Sequence, residues 1–251
     1  MLISETKLKQ IISESIKKII NEALIIEPYL KEIETCAINL KNALDNFKIE
    51  MDKWEEEETE DGSIAYFRYV GQLCGANIVL IRNPWNYQVN AAYSESSNEF
   101  WIFCRGKESV EWFKEKLSHE LTHKLDSELG YASSNQYNAY EMNEDENLPR
   151  CFNYLLYRLW NPSEFNAHQV QAINGSFGTL KYEIKKLWEM WENCSEFDEN
   201  NEIWNYIGKA YLNKPNDTSY SIRKFFLNRT SQLIEKYKEK MYRKISNLNQ
   251  K

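Results

Sequence analysis

The sequence predicts an α+β protein: a small, mostly antiparallel sheet packed on one long helix, with helices before it and a mainly helical second half. Three observations carry this. Runs rich in β-branched and aromatic residues, punctuated by turn residues, are confined to residues 63–105. On both sides of that region apolar residues recur at helical spacing. Hydrophobic residues are 42% and charged residues 27% of the 251, which suits a packed core and is too apolar for a disordered chain.

The elements follow in order. Leu8, Ile11, Ile12, Ile16, Ile19 and Ile20 form the apolar stripe of an amphipathic helix over 4–24, with Ser4 as its N-cap. Residues 1–25 are thus a docking or tag segment, and 26–251 read as one domain. A second helix runs from about Pro28 to Phe47, with Leu30, Ile33, Cys36, Ala37, Leu40 and Leu44 on one face. The Glu-rich stretch Asp52 to Gly62 reads as a solvated connection. Four strands are expected at 64–70, 77–82, 87–93 and 99–104, separated by Gly71, Gly75, Asn83-Pro84 and Ser94 to Asn98. Glu108 to Leu129 is a long helix stopped by Gly130. A polar, acidic loop fills 131–149, and the region 150–251 is helical. Its helices are Arg150 to Trp160, one opened by Asn161-Pro162, and two or three more over about 179–196, 202–212 and 218–247.

Composition narrows the function classes. A net charge of −7 leaves no general footprint for nucleic acid. No run approaches the roughly 18 apolar residues of a membrane span. The start of the chain lacks a basic stretch followed by an apolar one, so a cytoplasmic protein is expected. The five cysteines are scattered without a CxxC pair, which fits thiols packed as small hydrophobes in a reducing compartment.

The chain has three histidines, and two of them stand in His119-Glu120-Leu121-Thr122-His123, an H-E-x-x-H motif on the long helix. Residues i and i+4 of a helix lie about 5–6 Å apart on one face, so both imidazoles reach one metal ion. Zn2+ is the expected ion. Glu120 lies between them, placed to take a proton from the water that such an ion activates. Phe113, Leu117, Leu121 and Leu125 supply the buried stripe of the same helix. The plain alternative is a solvated helix face that happens to carry these residues.

A catalytic zinc takes three protein ligands and keeps one open position. His119 and His123 give two. After His123 comes Lys124-Leu125-Asp126-Ser127-Glu128-Leu129, with no third histidine. Glu164 in Asn161-Pro162-Ser163-Glu164 is the leading third ligand, although N-cap, N1 and N3 spacing also lets it close a capping box. Glu141, Glu144 and Glu146 of the acidic loop compete. His168, four residues after Glu164, is a fourth ligand, a donor to the reacting oxyanion or a packed histidine. Asp126, three residues after His123, either holds a ligand imidazole by its second nitrogen or pairs with a basic residue at the surface.

His119-Glu120-Leu121-Thr122-His123 with Glu164 on a later helix resembles the zincin metallopeptidases of the glutamate-ligand (gluzincin) kind. The segment Tyr157-Arg158-Leu159-Trp160-Asn161-Pro162-Ser163-Glu164-Phe165-Asn166-Ala167 also looks like the Asn-Pro-Ser-Glu-x-x-Ala stretch of zincin-like peptidases from bacteriophages. The resemblance covers about residues 63–170 and implies a zincin-like fold, Zn2+ and peptide-bond hydrolysis on a protein or peptide substrate. It also implies a sheet whose edge strand aligns the substrate; by position that strand is Phe100 to Cys104. His168 stands where the phage pattern has an arginine. The first helix resembles an N-terminal segment shared by proteins of crAss-like gut phages, which implies packaging with virion components. Two functions therefore stand as expectations: a zinc-dependent endopeptidase with Glu120 as general base, and a metal-binding structural or interaction protein of the virion. Neither needs nucleic acid or membrane as a partner.

Overall fold

A computed structural model describes residues 26–59, 62–82, 90–128, 145–160, 162–197 and 201–248. The expected helix over 4–24, the Gly130 stop, most of the acidic loop and the first part of the third expected strand lie outside them. The fold is α+β and mostly helical, with a five-stranded mixed sheet. The chain divides into two compact units, residues 1–129 with 169–174, and residues 130–168 with 175–251. No helix among the described residues is long and apolar enough to cross a membrane.

In the first unit, helix α1 (Leu30–Asp45) buries Ile33, Cys36, Ala37, Leu40, Ala43 and Leu44, the three-to-four spacing that one helical face requires. Leu30, expected on that face, is instead exposed at the first residue of the helix. The sheet comprises β1 (Glu55–Glu58), β2 (Ile64–Leu73), β3 (Ala76–Arg82), β4 (Ala91–Ser94) and β5 (Glu99–Cys104), in the order β1-β2-β3-β5-β4. Ile78, Leu80, Phe100 and Ile102 alternate to one face and join the core formed with α1 and helix α2 (Val110–Glu128).

Two expectations are corrected here. The Glu-rich stretch is not simply a connection: Glu55 to Glu58 pair antiparallel with Ile64 to Phe67. All four glutamates are exposed, as charges on an edge strand block pairing with other chains. The sheet is mixed, with the antiparallel majority that was expected: β3 and β5 pair in parallel while the other three pairings are antiparallel. Phe100 to Cys104 is not the edge strand: β5 bonds to β3 on one side and β4 on the other. Its alternation, with Phe100, Ile102 and Cys104 buried, is that of an inner strand. Among the described residues the edge on that side is β4.

Local chemistry sets the turns. Cys74 and Gly75 both have positive φ, the pair of left-handed residues that a two-residue hairpin between β2 and β3 requires. Before α2, the Glu108 carboxylate accepts from the backbone N–H groups of Arg105, Gly106 and Lys107, and Ser109 Oγ accepts from Trp112 N at 3.2 Å. These bonds satisfy donors at the helix start and fix where α2 begins.

The second unit contains α3 (Arg150–Trp160), the first part of α4 (Pro162–Asn174), α5 (Phe177–Ser195), α6 (Asn201–Ala210) and α7 (Ser219–Leu248). Side-chain caps open two of these. Ser176 Oγ accepts from Thr179 N, and Thr218 Oγ1 accepts from Ser221 N, both at 3.2 Å. The Phe152 ring is the hub of the core, 5.0 Å from Trp204, 5.4 Å from Phe197 and 5.8 Å from Phe226. Arg158 of α3 pairs with the buried Glu183 of α5 at 3.3 Å. The last turns of α4, residues 169–174, belong to the first unit, whose core includes Val170.

Candidate metal centre

The H-E-x-x-H motif lies in the middle of α2, where the helix is buried on more than one side. Eleven of its 19 residues are buried, so it is a central helix rather than a surface one with a single apolar stripe. Phe113, Leu117, Leu121 and Leu125 are all buried as expected. The polar residues Ser118, His119, Glu120 and Thr122 are buried as well, which removes the solvated-face alternative. Thr122 Oγ1 donates back to Ser118 O at 2.8 Å, so that hydroxyl is satisfied within the helix.

His119 is 8% exposed, Glu120 5%, and His123 is half-buried. The Nε2 atoms of His119 and His123 stand 3.1 Å apart, with the rings edge to face. Two nitrogens each roughly 2.05 Å from one tetrahedral zinc are separated by about 3.3 Å. The imidazole pair therefore has the spacing of two donors on one ion, and the residues fit the metal that the motif implies. Asp126 is 2% exposed, so it is not the surface carboxylate of the plainer expectation. It lies three residues after His123 and seven after His119, on the face that carries both.

In the second unit, α4 presents the other pair. Glu164 Oε2 and His168 Nε2 are 3.5 Å apart at i,i+4, and both side chains are half-buried. This too is close to the separation of two donors on one ion. The Tyr157 ring packs edge-on against His168 with centroids 6.3 Å apart, a neighbour that no motif or spacing pointed to. Glu146, one of the competing ligands, is exposed in the turn before α3. Glu141, Glu144 and the Asn161 cap lie outside the described residues. The structure thus brings His119 together with His123 on one helix, and Glu164 together with His168 on another.

The chain matches no protein-family model, no curated protein and no solved structure.

Proposed function

We propose that the chain is a zinc-dependent endopeptidase with a zincin-like, glutamate-ligand centre of the phage-encoded type. The observation that carries this reading is the 3.1 Å Nε2 pair of His119 and His123 with the buried Glu120 between them in sequence. His119, His123 and Glu164 would hold Zn2+. When bound, it supplies a Lewis acid for the scissile carbonyl and lowers the pKa of a water molecule to about 7. Glu120 takes the proton from the attacking water and carries it to the leaving amine. Its burial keeps competing bulk water from the carboxylate. His168 donates to the oxygen on which negative charge develops, steadied by the Tyr157 ring. Substrate alignment falls to β4, the edge strand beside β5 among the described residues, where an extended peptide adds by main-chain hydrogen bonds; the other edge, β1, carries four exposed glutamates.

A second reading rests on the Glu164–His168 pair. If both atoms, 3.5 Å apart, bind the ion together with His119 and His123, four protein ligands close the coordination shell. The chain is then a metal-stabilised structural protein without hydrolysis. Elemental mass spectrometry on purified wild type, Glu164→Ala and His168→Ala separates the two. In the peptidase reading wild type carries one zinc, Glu164→Ala loses it and His168→Ala keeps it. Loss of zinc in both variants favours the closed shell. No zinc in wild type after supplementation sinks both readings.

A further inference from the structure

We propose that the C-terminal half of α7 carries an anion site for a phosphoryl group, held by Lys236, Lys240 and Arg243 and bounded by Lys244. The site lies within the second unit and does not depend on the metal.

Helix geometry carries the argument. α7 is one continuous helix from Ser219 to Leu248. With 3.6 residues per turn and about 1.5 Å of rise per residue, Lys236, Lys240, Arg243 and Lys244 fall within about 100° of arc and about 12 Å of axis. The two glutamates of the helix, Glu235 and Glu239, fall outside that arc. Glu235 is engaged by Lys238, whose Nζ donates to it at 2.7 Å. At the other end Lys244 Nζ donates to the buried Gly175 O at 2.5 Å, which ties the stripe to the segment that opens α5. α7 holds eight basic residues against two acidic ones, in a chain whose net charge is −7. Positive charge is therefore gathered on this helix against the trend of the whole sequence.

Two ordinary reasons for basic residues do not apply. The negative end of a helix dipole attracts cations within its last turn, but the last turn of α7 holds no basic residue and Lys240 lies two turns before Leu248. Ion pairing does not account for the cluster either: among the described residues the charged groups that bear on Lys240 are Lys236, Arg243 and Lys244, with no carboxylate. Lys240 is half-buried, so its ammonium is partly withdrawn from water while it faces like charges. Those two causes push it down to about 7. An anion relieves both costs, because it replaces lost hydration and turns repulsion into attraction. A phosphoryl group carries roughly 1.5–2 negative charges at neutral pH and three strong acceptor oxygens, whereas a carboxylate brings a single charge. Arg243 is exposed, so the stripe is open to solvent, and its planar guanidinium matches two phosphate oxygens while the lysines act as point charges.

The test titrates the full-length protein with inorganic phosphate by calorimetry, with and without a zinc chelator. A parallel arm measures flotation with phosphatidylcholine vesicles that contain phosphatidic acid. The variants are Lys240→Met and Arg243→Gln, with Lys224→Met as a control on an exposed basic residue of the same helix outside the arc. The expected result is saturable binding in at least one arm, unchanged by chelator and by Lys224→Met. Each site variant weakens it roughly 10- to 100-fold, the worth of one charge-assisted hydrogen bond. Binding of free phosphate assigns a soluble ligand, and binding to vesicles alone assigns a lipid headgroup. Arg243 is exposed, so Arg243→Gln keeps the test decisive whatever Lys240→Met does to the fold. No binding in either arm overturns the proposal. So does binding that survives Arg243→Gln, binding weakened equally by Lys224→Met, or binding abolished by chelator.

Discussion

If His119 and His123 are donors to one ion, removing either must remove most of the stabilisation that zinc confers. The magnitude follows from the site. The 3.1 Å Nε2 separation lies within about 0.2 Å of the tetrahedral value, so the pair binds with little rearrangement of α2. Zinc at 100 times its dissociation constant stabilises the folded state by about 2.7 kcal/mol. For a chain of this size that is roughly 5–10 °C in melting temperature. Removing one imidazole is expected to weaken binding at least 100-fold, more than the loss of a supporting contact. At the same zinc concentration the variant then gains only about 0.4 kcal/mol, or roughly 1 °C. The assay is tryptophan-monitored melting of wild type and His123→Ala, each with chelator and with the fixed zinc concentration. Comparing each protein with its own chelated form cancels the cost of the substitution to the fold. A zinc-induced shift in His123→Ala equal to that of wild type refutes the shared-ion reasoning.

Three further outcomes follow. Glu120→Gln should keep the wild-type zinc content and lose about 100- to 10,000-fold in turnover of a quenched peptide library, the contribution of a general base; undiminished cleavage excludes the proposed role. Gly208→Ala should lower the melting temperature although alanine is the better helix former, because the new Cβ would overlap Ile222 Cδ1 and lie 3.3 Å from Lys214 O. Overpacking of about 1–3 kcal/mol outweighs the roughly 1 kcal/mol gain in propensity, and Ile222→Val should restore part of the loss in a thermal melt. Lys240→Met should stabilise the protein below pH 7 and do so less as pH rises to 10. Burial, with Lys236, Arg243 and Lys244 nearby, lowers the Lys240 ammonium to about 7, so folding is penalised wherever the unfolded chain holds that proton. The penalty is full below the folded pKa and fades as pH climbs towards the unfolded one. Screening by solvent reduces it to roughly 1–2 kcal/mol, and a stabilisation that does not diminish with pH would contradict this cause.

The helices were legible because each carries its own period and its own ends. Arg150 to Trp160 matches its expected bounds, and α7 spans Ser219–Leu248 against an expected 218–247. Strand identity along β3 and β5 was legible for the same local reason, since Ile78, Leu80, Phe100 and Ile102 belong to strongly β-forming runs. What local pattern cannot carry is pairing. A run such as Phe100 to Cys104 alternates in the same way whether its neighbour lies on one side or both, so the parallel β3–β5 ladder was not legible and the edge expected at Phe100 to Cys104 lies at β4 instead. Glu55 to Glu58 has no apolar alternation at all, and only the partner strand β2 makes it a strand. At the candidate site, spacing on one helix pointed to the His119–His123 pair. It did not show that Asp126 is buried or that Tyr157 lies against His168, because those depend on what packs against the helix.

The single-centre reading makes one demand that neither pair meets alone. Each helix offers two donors at the spacing of one ion: His119 with His123 on α2, and Glu164 with His168 on α4. Two ligands hold zinc weakly, whereas a catalytic centre needs three. If α2 gives two donors and α4 the third, the two helices act on one equilibrium, and their contributions cannot add independently. A double-mutant cycle with His123→Ala and Glu164→Ala, read as zinc affinity by competition with a chromogenic chelator, tests this. Each single variant should fall to the weak binding of a broken site, and the double variant should be little worse than either. Additive losses, or a second zinc equivalent surviving in each single variant, would mean that each helix binds an ion of its own. The proposed hydrolysis would then lack its three-ligand centre, because Glu120 would stand beside a site held by two imidazoles only.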